Sequence, residues 1–132
     1  MDLGPLLKLK TEIEKAGGLN ILVLQFVGKI TSDNIFDLNS RIRQLFEEGI
    51  YHCILDISEL EYINSTGIAL LLTIARTVEQ NEGKLMLTRP TSFVKDLLDM
   101  TDLDSRFDIV KDVKTAKGVF EKAQPSGKIS GE

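Results

Sequence analysis

Ser65 and Thr66 set two hydroxyls side by side, with Asn64 before them and Gly67 after them. An apolar run ends shortly before this group, and a second one starts directly behind it at Ile68. That order reads as buried strand, polar turn and the first turn of a helix. A helix N-terminus presents free backbone N–H groups and the positive end of the helix dipole. Hydroxyls held there suit phosphate chemistry, so the pair reads as a phosphorylatable switch rather than an active site. Asn64 is the natural N-cap, and either hydroxyl can also serve simply to satisfy free N–H groups.

Gly67 sharpens the switch reading. A glycine in the first helical turn costs about 1 kcal/mol relative to alanine, so something else favours it. The missing side chain would let a backbone or a partner approach Ser65 closely. Behind it, Ile68, Leu71, Leu72, Ala75 and Val78 follow core-facing spacing. Leu70 and Ile74 form a second stripe, which reads either as packing against another element or as the edge of a protein contact. A phosphate on Ser65 would add about −1.5 to −2 charges there. On a close apolar contact, that charge opposes binding through its desolvation cost and need not unfold anything.

Other reactive side chains are few. His52 is the only histidine and Cys53 the only cysteine. His52 stands beside the start of an expected strand and reads as a structural residue near a loop. Cys53 has no disulfide partner and lies in an apolar run, as a small buried residue does. Paired His/Cys spacing for zinc is missing. No glycine-rich phosphate loop precedes a lysine and hydroxyl, and Ser65 lacks the flanking glycines of a nucleophile elbow. The expectation is a binding module without catalysis, metal or cofactor.

The elements that must position the hydroxyls follow from periodicity. Residues 7–14 alternate apolar and charged, as a half-wet strand does, and a Gly17-Gly18 turn leads to a second strand over residues 19–27. The cap-rich cluster Thr31-Ser32-Asp33-Asn34 opens an amphipathic helix bearing Ile35, Leu38, Ile42, Leu45 and Phe46, with Gly49 placed to stop it. Residues 50–57 are apolar without alternation, as in a central strand covered on both faces. A helix over 65–81, a strand over 84–88, a helix capped by Thr91 or Ser92, an edge strand within 103–110 and a helix over 112–123 complete the chain. A hairpin followed by helix–strand alternation predicts an α/β layer fold with largely parallel strands.

The totals fit one domain. The chain has 132 residues, 42% of them hydrophobic and 27% charged, enough for one core. A net charge of −4 argues against general nucleic-acid binding. No apolar run approaches the roughly 20 residues that span a bilayer, and no signal-peptide pattern opens the chain. The expectation is a cytoplasmic protein with no membrane insertion, one domain over residues 1–123, and a flexible tail over 124–132.

The segment from Leu55 to Leu72, with its Ser-Thr-Gly turn, resembles the signature of the STAS domain, most closely the stand-alone bacterial anti-sigma factor antagonists. Phe26-Val27-Gly28, Gly83-Lys84-Leu85 and the stretch from Val94 to Thr101 echo the family in the same order. The resemblance implies a small mixed sheet with helices packed mainly on one face. It implies a partner switch: the unphosphorylated antagonist binds an anti-sigma factor that is also a serine kinase, and a sigma factor is released. The kinase then modifies the serine before the [Ser/Thr]-Gly pair, here Ser65 with Thr66 as alternate, and a PP2C-type phosphatase reverses this. Partner contacts are expected from Thr31, Ser32, Asn64 and Thr66, together with Gly67, Leu70 and Ile74, in a monomer or weak dimer. The sequence departs from the pattern in two places. Asn64 replaces the usual aspartate, and Lys29, Thr31 and Ser32 stand where an acidic residue is common. The competing reading is a STAS subunit without a switch, a structural partner in a signalling scaffold or a lipid-transport complex.

Overall fold

The computed structural model describes residues 1–123. The expected tail, 124–132, lies outside the described residues. A five-stranded sheet runs in the order β1 (Leu7–Ala16), β2 (Leu19–Ile30), β3 (Cys53–Ile63), β4 (Leu85–Thr88) and β5 (Asp108–Val110). The opening hairpin is antiparallel, and every later pairing is parallel. Among the described residues there are also four α-helices: α1 (Ile35–Phe46), α2 (Ser65–Gln80), α3 (Ser92–Met100) and α4 (Val113–Ala123). The α/β mixed sheet expected from the sequence is the fold observed.

Consecutive parallel strands are neighbours, so α1, α2 and α3 each cross over one step in the same direction. Crossovers of one hand then put all three on the same face. Leu38, Ile42 and Phe46 of α1, Leu71 and Val78 of α2, and Val94 and Leu98 of α3 share one core with Leu24, Phe26, Leu55 and Ile57 of the sheet. Among the described residues no strand follows α4, and it packs on the opposite face, where Ala116 and Phe120 meet Ile21, Val23, Ile54 and Met86. The central strands are therefore covered on both sides, which is why residues 50–57 show no alternation.

Three expectations change. The polar stretch 58–62 is not a turn but the second half of β3, which continues to Ile63. Its pairing with β2 shifts register between Gln25 and Val27 and again between Gly28 and Lys29, each time with an extra residue on β3. These bulges stretch the buried spacing to Ile57, Leu60 and Ile63 and erase the period of two. Asn34 precedes α1, but its side chain does not cap it. It accepts from Thr31 N and donates to Lys29 O, both at 2.9 Å, and so ties down the turn behind β2. The expected edge strand within 103–110 shortens to β5, after a single 3₁₀ turn at Asp104–Arg106.

Candidate functional site

Ile30 and Ile63 are partners at the end of the β2–β3 ladder. Because these strands are parallel, the segments that follow both of them emerge at the same edge of the sheet. Thr31, Ser32 and Asn34 therefore stand beside Asn64, Ser65 and Thr66. In open α/β sheets this carboxyl edge is where binding sites gather.

Asn64 is extended (φ −102°, ψ −178°) and its side chain accepts from Gly67 N at 2.9 Å. Its carbonyl accepts the first helical bond, from Ile68 N at 3.0 Å. This is a side-chain N-cap as the sequence predicts. Ser65 and Thr66 then occupy the first two positions of α2, and both are exposed. Ser32 is exposed and Thr31 half-buried.

Gly67 has a different reason from the one expected. It is buried, and a Cβ built there falls 2.5 Å from Ile63 Cγ1 and 3.0 Å from Ile30 Cγ2. Both isoleucines are 1% exposed and have little room to yield. The space is taken by the domain's own strand ends, not held open for a partner. Leu70 and Ile74 also require correction as an outward stripe: they are 6% and 1% exposed and belong to the core. The α2 residues that reach the surface nearby are Thr66, Ala69 and Thr73. Ile68, Leu72 and Ala75, expected in the core, are half-buried around it. The buried arc of α2 is thus rotated toward α1 relative to the expected one.

A groove follows from that rotation. Ile35, Phe36 and Asn39 of α1 face Thr66, Ala69, Leu70 and Thr73 of α2 across a depression of about 300 Å³. It continues past Ile42, Arg43, Phe46, Ile74 and Thr77. Leu70 and Ile74 reach this groove as its floor.

Three aromatic residues at the same edge were not singled out from the sequence. Phe36 is 77% exposed at the mouth of the groove. Tyr62, at the end of β3, stacks on Phe93 at the start of α3, with ring centroids 5.3 Å apart and planes 28° apart. Thr91 holds this second rim in place, donating to Leu60 O at 2.9 Å and capping α3 by accepting from Val94 N. Phe36 was legible, since it falls outside the apolar stripe of Leu38, Ile42 and Phe46. Tyr62 gives no such signal, since its stretch of β3 is polar and lacks strand alternation.

Neither His52 nor Cys53 lies beside the Ser65 hydroxyl. His52 precedes β3 and Ser65 follows it, so an 11-residue strand separates them, roughly 35 Å at strand rise. His52 instead packs edge-on against Phe120 of α4, with centroids 5.6 Å apart. Burial lowers its pKa, and its Nδ1 has no hydrogen-bond partner among the described residues. Cys53 is fully buried, and burial pushes its thiol up to about 12, so it stays protonated and inert. Among the described residues, no cluster of His, Cys, Asp or Glu could hold a metal ion, and no helix is long and apolar enough to cross a membrane. The Ser65 hydroxyl stands at the positive, N-terminal end of the α2 dipole.

Residues 10–116 match the model of the STAS domain. The chain belongs to the STAS domain family. This STAS domain is 26% identical over 117 residues to BtrV of Bordetella bronchiseptica, provisionally named an anti-sigma factor antagonist, and the match covers 89% of this chain and 99% of that protein. Its fold is similar to that of a provisionally assigned anti-sigma factor antagonist from Thermotoga maritima, with TM-score 0.72, 18% identity, and coverage of 84% of this chain and 92% of the other. It is likewise similar to the unphosphorylated form of the anti-sigma factor antagonist SpoIIAA, a Bacillus protein, with TM-score 0.71, 16% identity, and coverage of 86% and 96%.

Proposed function

We propose that this STAS domain is an anti-sigma factor antagonist whose binding is switched by phosphorylation of Ser65. Unphosphorylated, it sequesters an anti-sigma factor that is also a serine kinase, and so releases a sigma factor in the cytoplasm. ATP is bound by the kinase, so the domain itself needs no cofactor. A PP2C-type phosphatase returns it to the binding state. The observation that carries this reading is the exposed Ser65 hydroxyl at the first position of α2, beside an apolar groove and at the opposite end of β3 from His52.

The contact surface runs over Thr31, Ser32, Asn64 and Thr66, with Leu70 and Ile74 as groove floor and Phe36 at its mouth. Burial of Phe36 by a partner would remove a large apolar ring from water and favour association. A doubly charged phosphate at Ser65 would lie at the margin of that contact and would have to be desolvated. The asparagine at 64 keeps the cap while leaving the phosphosite without an adjacent negative charge.

The test is to incubate the domain with ATP and an anti-sigma kinase encoded beside it, and to locate phosphate by mass spectrometry. Phosphate on Ser65, lost in Ser65→Ala, with weakened kinase binding after modification, is the expected result. Binding to a partner without phosphate on Ser65 or Thr66 would favour a non-switching scaffold subunit instead.

A further inference from the structure

β1 is an edge strand, and the first part of its outer edge is already taken. The Met1 amino group donates to Leu9 O at 2.7 Å and Leu9 N donates to Met1 O at 2.8 Å, while Leu3 N donates to Leu7 O at 2.9 Å. Residues 1–3 thus form a short strap antiparallel to β1, with Asp2 opposite Lys8. The backbone groups of Leu7 and Leu9 point outward, and by strand alternation so do those of Thr11, Ile13 and Lys15. Among the described residues, β1 has no neighbouring strand on that side of the sheet. Ile13 there is 54% exposed.

The side chains along this edge form a self-complementary series. Lys8, Lys10, Glu12 and Glu14 lie on the face where α4 packs, two positive charges followed by two negative. Lay a second copy antiparallel with Thr11 opposite Thr11. Lys10 then stands opposite Glu12 of the second copy, Lys8 opposite Glu14, and Leu9 opposite Ile13. Two-fold symmetry makes each of these pairs occur twice. Slipping by two residues in one direction sets Glu12 against Glu12, and in the other Lys10 against Lys10, so charge selects a single register. Glu14 is also held by Lys117 of α4, so the central pair is Lys10 with Glu12, both exposed.

The strap imitates this partner. It runs in the same direction as the second copy's strand, and its Asp2 takes the place of that copy's Glu14 opposite Lys8. We propose that the outer edge of β1 is a self-complementary docking site for a second copy of this chain, gated by the strap of residues 1–3. The edge lies to the side of the sheet, so docking leaves the α2 N-terminus free. The dimer goes beyond the switch reading and does not depend on it.

Sedimentation equilibrium of the full chain, from micromolar to millimolar concentration at low salt, tests the proposal. Asp2→Lys sets like charges between strap and β1, loosens the strap, and should tighten self-association about tenfold or more. In that background, Lys10→Glu or Glu12→Lys alone should each weaken association about tenfold or more. Mixing these two chains restores opposite charges at both central pairs and should restore association, an outcome that a merely misfolded variant cannot give. An Asp2→Lys chain that stays monomeric into the millimolar range overturns the proposal. So does association that ignores the single reversals, or a mixture that fails to recover.

Discussion

Ile30 and Ile63 close the β2–β3 ladder side by side, and the backbone of Gly67 rests directly on both. The same contact fixes two things. It brings the turn after β2 next to the start of α2, and it sets how closely α2 descends onto the sheet. The exposed Ser65 hydroxyl thus stands on a helix turn whose underside has no slack.

Gly67→Val is expected to destabilise the domain by about 2 kcal/mol, because its side chain must displace Ile63 and Ile30 in a filled core. Gly67→Ala should also destabilise, by about 1 kcal/mol, with the clash outweighing the gain in helix propensity. Urea denaturation measures both. A Gly67→Ala variant more stable than the parent would show that α2 can lift without cost.

Ser65 has the opposite character. Ser65→Ala should change stability by less than about 0.5 kcal/mol, as for an exposed residue away from the cap. Ser65→Asp puts a negative charge at the positive end of α2 and should hold or raise Tm, a gain of about 0.5 kcal/mol. Partner binding, followed by calorimetric titration, should survive the alanine and weaken with the aspartate. A Tm several degrees lower for Ser65→Asp would mean that the charge acts by unfolding rather than at a contact.

Thr88 is 1% exposed, and its hydroxyl does two jobs. It accepts from Ile57 N and donates to Asp56 Oδ1, both at 2.9 Å. Thr88→Val keeps the shape but strands a buried N–H, at a cost of about 2 kcal/mol. Thr88→Ser keeps both bonds and should cost less than the valine change. Equal denaturation midpoints for the two variants would remove the hydroxyl from the account of stability.

His52 should make the domain acid-sensitive. Burial against α4 lowers its pKa in the folded state below the ordinary value of about 6.5. The unfolded chain therefore binds the proton more readily, and stability present above about pH 6.5 is lost as pH falls toward the folded pKa. Thermal melts between about pH 7.5 and about pH 5.5 should show this fall, and His52→Asn should flatten the part that His52 contributes. An unchanged slope in the variant would assign the acid sensitivity to other groups.

Much of this was legible in the chain itself, for local reasons. A cap residue followed by a 3.6-residue apolar repeat determines a helix start, so Asn64 and the exposed hydroxyls behind it could be read directly. Runs of Val, Ile and Leu without alternation determine strands buried on both faces, as in residues 53–57. The extent of β3 was not legible, because its bulges replace the period of two with one of three, which exists only once β2 is alongside. Nor was the role of Gly67, which depends on two isoleucines 37 and 4 positions earlier in the chain. The facing of Leu70 and Ile74 was decided by α1, since a helix with apolar residues on two sides can turn either one inward until a neighbour occupies one of them. Sequence alone set most of the helices and strands, though not their full extent, and where the hydroxyl pair stands, since both rest on contacts within a few residues. Tertiary structure decided which faces are covered and which side chains share a surface, since those depend on partners distant along the chain.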